Sequence, residues 1–153
     1  MRFSMKTEYG VRAAVELAAH AGRGTLQSGE IARRQGIPGP FLDQVLMTLR
    51  RAGLVSSTRG PRGGHELARR PDQIRLDEVI SVLEGDGAKN RQPDAGEVGD
   101  GQVLAQVAEK AEEAARDVFA AHTLADCLLL RRHDSGTFHG IFHAAPQRPR
   151  SER

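Results

Sequence analysis

A mainly α-helical fold with one small β-hairpin follows from three observations. Three segments within residues 4–53 carry apolar residues at helical spacing, separated by breaks marked with glycine. Two β-prone runs then flank the turn Arg59-Gly60-Pro61-Arg62-Gly63-Gly64. Finally, residues 102–122 form an apolar-striped segment too long for so small a domain to cover. Together they predict a winged helix-turn-helix with a two-stranded wing and a long C-terminal dimerisation helix.

Each element has its own signals. Ser4 is placed to cap a first helix over residues 4–21, with Val11, Ala14, Val15 and Ala18 inward and Gly22 and Gly24 ending it. Ser28 is expected to cap a second helix over residues 29–35, with Ile31 and Ala32 inward and Gly36 at its end. A third opens at Pro38-Gly39-Pro40, where prolines are tolerated in a first turn. It carries Phe41, Leu42, Val45, Leu46 and Leu49 on one face and closes at Gly53. The short connection through Gly36 gives the second and third helices the form of a helix-turn-helix. Strands are expected at 54–58 and 65–68, then a helix over 76–84 with Val79, Ile80 and Leu83 at packing positions.

The remainder divides by composition. Residues 85–101 hold five glycines and no periodicity, which predicts a mobile loop. The long helix follows, with a stripe of Val103, Val107, Ala111, Ala114 and Val118 flanked by Leu104, Ala115 and Phe119. Thr123 and Asp126 have the spacing of a capping box opening a last helix over 124–131. The expected organisation is a DNA-binding domain over 1–84, a loop over 85–101, a dimerisation unit over 102–132 and a frayed tail over 133–153.

The chain has 153 residues, one domain's worth, and its aromatics are only 4% with no Trp, so Leu, Val, Ile and Ala must build the core. Mean hydropathy is −0.46, and no apolar run approaches the ~20 residues that span a bilayer. One cysteine, Cys127, excludes an internal disulfide framework and any all-cysteine metal site within one chain. The opening Met1–Lys6 lacks the apolar stretch of a signal peptide, so the expected compartment is the cytoplasm, with no membrane partner. Residues 1–85 hold 13 Lys/Arg against 9 Asp/Glu, while residues 102–130 hold 2 against 5. That segregation suits one surface to a polyanion and another to a different partner.

Double-stranded DNA is the polyanion the motifs suggest. A recognition helix needs short polar or small residues near its N-terminus, where side chains reach base edges. Gly39, Pro40, Asp43 and Gln44 meet that need off the apolar face, with Arg50 and Arg51 further along. Gln44 suits a bidentate contact to adenine, and Asp43 suits acceptance from a cytosine amino group. In the wing, Arg59 and Arg62 bracket Gly60 and Pro61, and an arginine at a thin hairpin tip fits a narrow minor groove. Gly63 and Gly64 are expected to let the backbone approach phosphates. Gln27 and Ser28, at the start of the second helix, add free amides for a phosphate. The seam Val103, Val107, Ala111, Ala114, Val118 and Phe119 is expected to pair with a second copy, giving a homodimer whose two recognition helices read a palindrome.

These motifs resemble one family. Met1-Arg2-Phe3-Ser4-Met5-Lys6-Thr7-Glu8-Tyr9-Gly10-Val11-Arg12-Ala13 is similar to the opening of the Rrf-type (IscR/NsrR/CymR-like) bacterial winged-helix transcription regulators. The stretch from Gly53 through Arg59-Gly60-Pro61-Arg62-Gly63-Gly64 to Arg69 is the strongest match, although the family usually has an aromatic at the position of His65. Leu76–Ile80 with Glu84-Gly85, and His122-Thr123-Leu124-Ala125-Asp126, also resemble it. The resemblance implies a homodimer that crosses two long helices and binds inverted-repeat operators. It implies that Arg59 enters the minor groove and that Pro40, Asp43 and Gln44 lie at the major groove.

One departure bears on mechanism. Many family members hold an iron–sulfur cluster on three closely spaced cysteines in the loop before the dimer helix, and residues 85–101 have none. No cofactor is therefore expected, and Glu8, where some members place a carboxylate ligand, is read as a surface or interface carboxylate. Cys127 among Leu124, Leu128 and Leu130 reads as a small buried hydrophobe, the alternative being a thiol switch. His133, His139 and His143 read as a solvated tail rather than a metal site. No catalytic constellation has a persuasive context, so an enzyme is not expected. The rival readings are a module that docks on a partner enzyme and a sensor of a small ligand or metal. An effector or partner protein acting on the loop 85–101 would shift the spacing of the two reading heads.

Overall fold

The computed structural model describes residues 3–85 and 100–133. Within them the order is α1 (Met5–His20), α2 (Ser28–Gln35), α3 (Gly39–Arg51), β1 (Val55–Thr58), β2 (Gly64–Leu67), a 3-10 turn (Pro71–Gln73), α4 (Leu76–Glu84), α5 (Asp100–Ala120) and α6 (Leu124–His133). Most of the loop expected over 85–101, and the tail with His139 and His143, lie outside the described residues; the long helix begins two residues earlier than its stripe suggested.

Ser4 caps α1 as expected, its Oγ accepting from Thr7 N at 3.1 Å. The buried face of α1 includes Ala14 and Ala18 as expected but is rotated away from Val11 and Val15. Gly10, Ala13, Ala14, Leu17 and Ala18 are buried, while Val11 and Val15 are only partly covered. Close approach of α4 explains the shift: a Cβ on Gly10 would run into the Leu83 side chain, so the small residues mark the contact. Ser28 is not a cap either. Gln27 holds the N-cap position of α2 and makes no side-chain capping bond, so Ser28 becomes the first helical residue. Gly36 ends α2 with φ +60°, a conformation that suits glycine.

α3 buries Leu42, Val45, Leu46 and Leu49, but Phe41, expected beside them, is exposed and lies edge-on to Tyr9 at 5.4 Å between ring centres. Leu54 and Val55 carry the core into the wing. Strands β1 and β2 pair antiparallel, with Val55 opposite Leu67 and Ser57 opposite His65. Leu26 adds a bridge on the far side of β2, its N–H and C=O each 2.8 Å from the matching group of His65. Sequence reasoning did not anticipate that third edge.

The last helix joins the core of the reading head. Leu124 is 0% exposed and packs in one cluster with Leu17, Leu46, Ile74 and Val79. Thr123 and Asp126 form the expected box, Asp126 N donating to Thr123 Oγ1 at 3.2 Å and Thr123 N to Asp126 Oδ2 at 2.8 Å. Backbone bonds from Leu76 N to His122 O (2.8 Å) and from Leu124 N to Ile74 O (2.9 Å) lock the α5–α6 corner to the start of α4. A buried carboxylate completes the attachment. Glu16 on α1, 4% exposed, accepts from Arg34 Nη1 (3.0 Å) and Gln35 Nε2 (2.7 Å) on α2 and from Arg131 Nη1 (3.1 Å) on α6.

Candidate nucleic-acid interface

Burial of one face of α3 fixes what the other face presents. With Leu42, Val45, Leu46 and Leu49 inward, Gly39, Pro40, Asp43, Gln44, Met47, Arg50 and Arg51 are all exposed, as a recognition helix requires. Prolines at Pro38 and Pro40 remove donors that a first turn leaves unsatisfied in any case. At the start of α2, Gln27 is exposed and Ser28 half-buried; without a side-chain cap the first amides of that helix keep their positive end open.

The wing tip is built by its glycines, though for a different reason from the expected one. Gly60 sits at φ +110° and its carbonyl accepts from Gly63 N at 2.9 Å. A Cβ on Gly63 would strike the Thr58 carbonyl, and one on Gly64 would lie 2.7 Å from the Leu26 carbonyl oxygen. Both glycines thus make room for the protein's own backbone. The Gly63 amide is occupied by the Gly60 carbonyl, and the residue is buried. Thr25 Oγ1 donates to Arg62 O at 3.0 Å and buttresses the tip, leaving Arg59, Gly60 and Arg62 exposed.

Ion pairing separates the arginines into two sets. Arg33 and Arg34 hold Glu30 (2.8 and 2.6 Å), Arg69 holds Glu78 (2.6 Å), Arg70 holds Asp72 (2.7 Å) and Arg75 holds Asp77 (2.9 Å). Hydrogen bonds from Arg33 and then Arg34 pull the Glu30 carboxyl down to about 2, so this pairing persists across the working pH range. Arg50, Arg51, Arg59 and Arg62 form no ion pair among the described residues, nor does Arg23 in the turn before Leu26. Four uncompensated guanidinium groups therefore lie on α3 and the wing, the others among the described residues being Arg23 and, on α5, Arg116, which bonds only the Glu112 backbone oxygen.

His65, on the wing, lies within electrostatic reach of the recognition helix. Its Nδ1 lies 2.8 Å from Ser57 Oγ, and its ring feels both Asp43 and Arg50 of α3. Burial pushes the imidazole below its ordinary value, Asp43 opposing and Arg50 adding to the effect. Only its departure from the aromatic usual at this position marked the residue in the sequence.

Along α5, Val103, Val107 and Val118 are 61%, 58% and 56% exposed, and Ala111 and Ala114 are exposed between them. Phe119 behaves differently: it is partly covered within its own chain by Phe3, edge-on at 5.6 Å.

The three-cysteine donor set that many family members use for an iron–sulfur centre is not among this chain's residues. The chain has a single thiol, and burial pushes Cys127 up, followed by the effect of Asp126, away from the thiolate a cluster requires. Glu8 lies 3.9 Å from Arg12 in a helical ion pair. Among the described residues no three His, Cys, Asp or Glu side chains converge as metal ligands, and no helix is long and apolar enough to cross a membrane.

Known proteins share this architecture. Residues 3–129 match the Rrf2 family, described as an iron-dependent transcriptional regulator. The regulator IscR of Aliivibrio salmonicida is 42% identical over 84 residues, 55% of this chain and 50% of that protein. A Mycobacterium tuberculosis chain named as an HTH-type transcriptional regulator is 38% identical over 129 residues, 82% of this chain and 80% of the relative. The match thus spans about half the length of the Aliivibrio relative and most of the mycobacterial one. Among solved structures, IscR of T. potens superposes with a TM-score of 0.73 at 36% identity, covering 92% of this chain and 94% of that one. CymR, the global cysteine regulator of B. subtilis, gives 0.74 at 30% identity over 85% and 98%. With its exposed recognition helix, its arginine-bearing wing and this match across most of its length, the chain belongs to the Rrf2 family of winged-helix, DNA-binding transcriptional regulators.

Proposed function

We propose that the protein is a homodimeric repressor that reads an inverted-repeat operator and works without the three-cysteine cluster. The observation that carries this reading is the segregation of arginines. Those on α2 and around α4 are neutralised by carboxylates, whereas Arg50, Arg51, Arg59 and Arg62 face solvent unpaired on the recognition helix and wing. Free guanidinium groups exchange condensed counterions for phosphate contacts, which is the main source of affinity for a duplex.

In this reading α3 enters the major groove N-terminus first. Gln44 takes the two hydrogen-bonding groups of an adenine edge, and Asp43 accepts from a cytosine amino group. Pro40 and Gly39 keep the helix start close to the bases, Arg59 enters the adjacent minor groove, and Gln27 and Ser28 hold a phosphate at the start of α2. The exposed stripe of α5 pairs with a second copy, which sets two recognition helices about one DNA turn apart. A cytoplasmic location accords with such a role.

The test is anisotropy binding to a duplex from the region upstream of the protein's own gene, beside a scrambled duplex, across salt concentrations. The expected result is a preference of about 10³ or more for the native duplex, with affinity falling steeply as salt rises. Equal weak binding to both duplexes would overturn the reading in favour of a module that docks on a partner protein.

A further inference from the structure

His65 lies on β2 of the wing, within electrostatic reach of Asp43 and Arg50 on α3, and its backbone is fixed on both sides. Its N–H donates to Leu26 O and its C=O accepts from Leu26 N, each at 2.8 Å, while β1 pairs with it at Ser57 across the hairpin. The ring is positioned as firmly, Nδ1 lying 2.8 Å from Ser57 Oγ. Nε2 has no hydrogen-bond partner among the described residues, so one nitrogen remains available to a proton.

Charged and titratable groups lie near His65 on α3, at the end of α1, and on and beyond β2. Asp43 and Arg50 act on it from α3 in opposite senses. His20 at the end of α1, Glu66 on β2, and Arg69 and Arg70 beyond it share with His65 the lining of a cavity of about 210 Å³. Arg69 and Arg70 are already held by Glu78 and Asp72. In the free protein half-burial favours the neutral ring, and the pull of the Asp43 carboxylate towards an imidazolium is opposed by Arg50.

We propose that DNA binding is proton-linked through His65: the ring is neutral in the free protein and takes up a proton when phosphates close over the wing and the recognition helix. The inference rests on the DNA-binding reading above. A duplex carries one negative charge per ~1.7 Å of axis, and excluding water around His65 strengthens its field on the ring. Bound-state affinity for the proton then exceeds that of the free state. DNA binding tightens as pH falls through the interval between the two values, and is independent of pH above and below it. Each unit separating them is a factor of ten in affinity. His65 acts as a positioning and charge-supplying residue and adds a cation only when the pH allows one.

The experiment measures anisotropy binding to the native and scrambled upstream duplexes from pH 7.5 to 5.5 at fixed ionic strength. It uses the wild type, His65→Gln, His65→Phe and His20→Gln, with circular dichroism confirming that each is folded. The His65→Phe variant keeps a packed ring without a titrating group, so a pH-independent affinity there is not a folding effect. The expected result is native-duplex binding about threefold to tenfold tighter at pH 5.5 than at 7.5 for the wild type and His20→Gln, and flat for both His65 variants. NMR titration of the His65 ring should give a higher midpoint with DNA than without. Specific binding that is flat with pH in the wild type, or that keeps its slope in both His65 variants, overturns the proton linkage alone. Equal binding of native and scrambled duplexes at every pH overturns the DNA-binding reading and this inference with it.

Discussion

Arg59 and Glu16 show how differently two charged residues serve one small domain. Arg59 is exposed at a tip held rigid by Gly60, Gly63 and Thr25, so its side chain costs the fold nothing to lose. Arg59→Ala is expected to leave the unfolding midpoint unchanged, to weaken operator binding by about 1–3 kcal/mol and to lower the salt slope by about one ion. Anisotropy against salt checks both, and an unchanged affinity would remove Arg59 from the interface. Glu16 is the converse: buried, it joins α1 to α2 and α6. Burial pushes its carboxyl up, but hydrogen bonds from Arg34, Gln35 and Arg131 outweigh that and hold it below its ordinary 4.5. A depressed folded-state value means stabilisation that is present above about pH 4.5 and is lost as pH falls through the folded value. Glu16→Gln should thus cost about 1–3 kcal/mol at pH 7, and the gap from wild type should shrink below pH 4. Urea unfolding at both pH values measures it; a gap constant with pH would deny the charge any role.

The helices and the wing were legible in the sequence because their determinants are local. Ser4, Gly36 and the Thr123–Asp126 pair each act within a few residues, and each does what its type and position suggest. What remained hidden depends on partners distant in the chain. The buried side of α1 is the glycine and alanine side because α4 packs there, a fact that no pattern within α1 records. Gly63 and Gly64 read as room for phosphate, but their neighbours are Thr58 and Leu26, and the second of these comes from a separate segment. Glu16 drew no attention because Arg34, Gln35 and Arg131 meet it only in the fold. The exposure of the arginines on α3 was legible, since it follows from the apolar face that α3 must bury. The attachment of Leu26 to β2 gives a test at this scale. Gly64→Ala sets a methyl against backbone that cannot swing aside, so it should cost about 1–3 kcal/mol and raise amide exchange at Leu26 and His65 selectively. Uniform exchange across the chain would show that the bridge is not a separate unit.

For the molecule as a whole, the decisive element is α5. Its 21 residues extend ~30 Å, and its apolar stripe lies mostly uncovered in a single chain. Its C-terminal corner is anything but loose: His122 O, Ile74 O and the buried Leu124 lock it to α4 and the core. If two copies join along the stripe, the angle between their α5 helices is transmitted through those corners to both recognition helices. Operator reading needs those helices ~34 Å apart or a multiple of that distance, so a signal need only alter the pairing of α5 to release DNA. Val107→Asp places a charge in the middle of the proposed seam, at a side chain already 58% exposed within the chain, so the monomer fold has little to lose. Sedimentation should find the wild type dimeric and the variant monomeric at equal concentration, and only the wild type should show a thermal midpoint that rises with concentration. The variant should lose the gain from simultaneous engagement of two half-sites, about 10²-fold or more on a palindromic duplex, while its affinity for a single half-site stays that of the wild type. A monomeric wild type that still bound the palindrome tightly would break the connection between α5 and operator reading, and would leave the exposed stripe to a different protein.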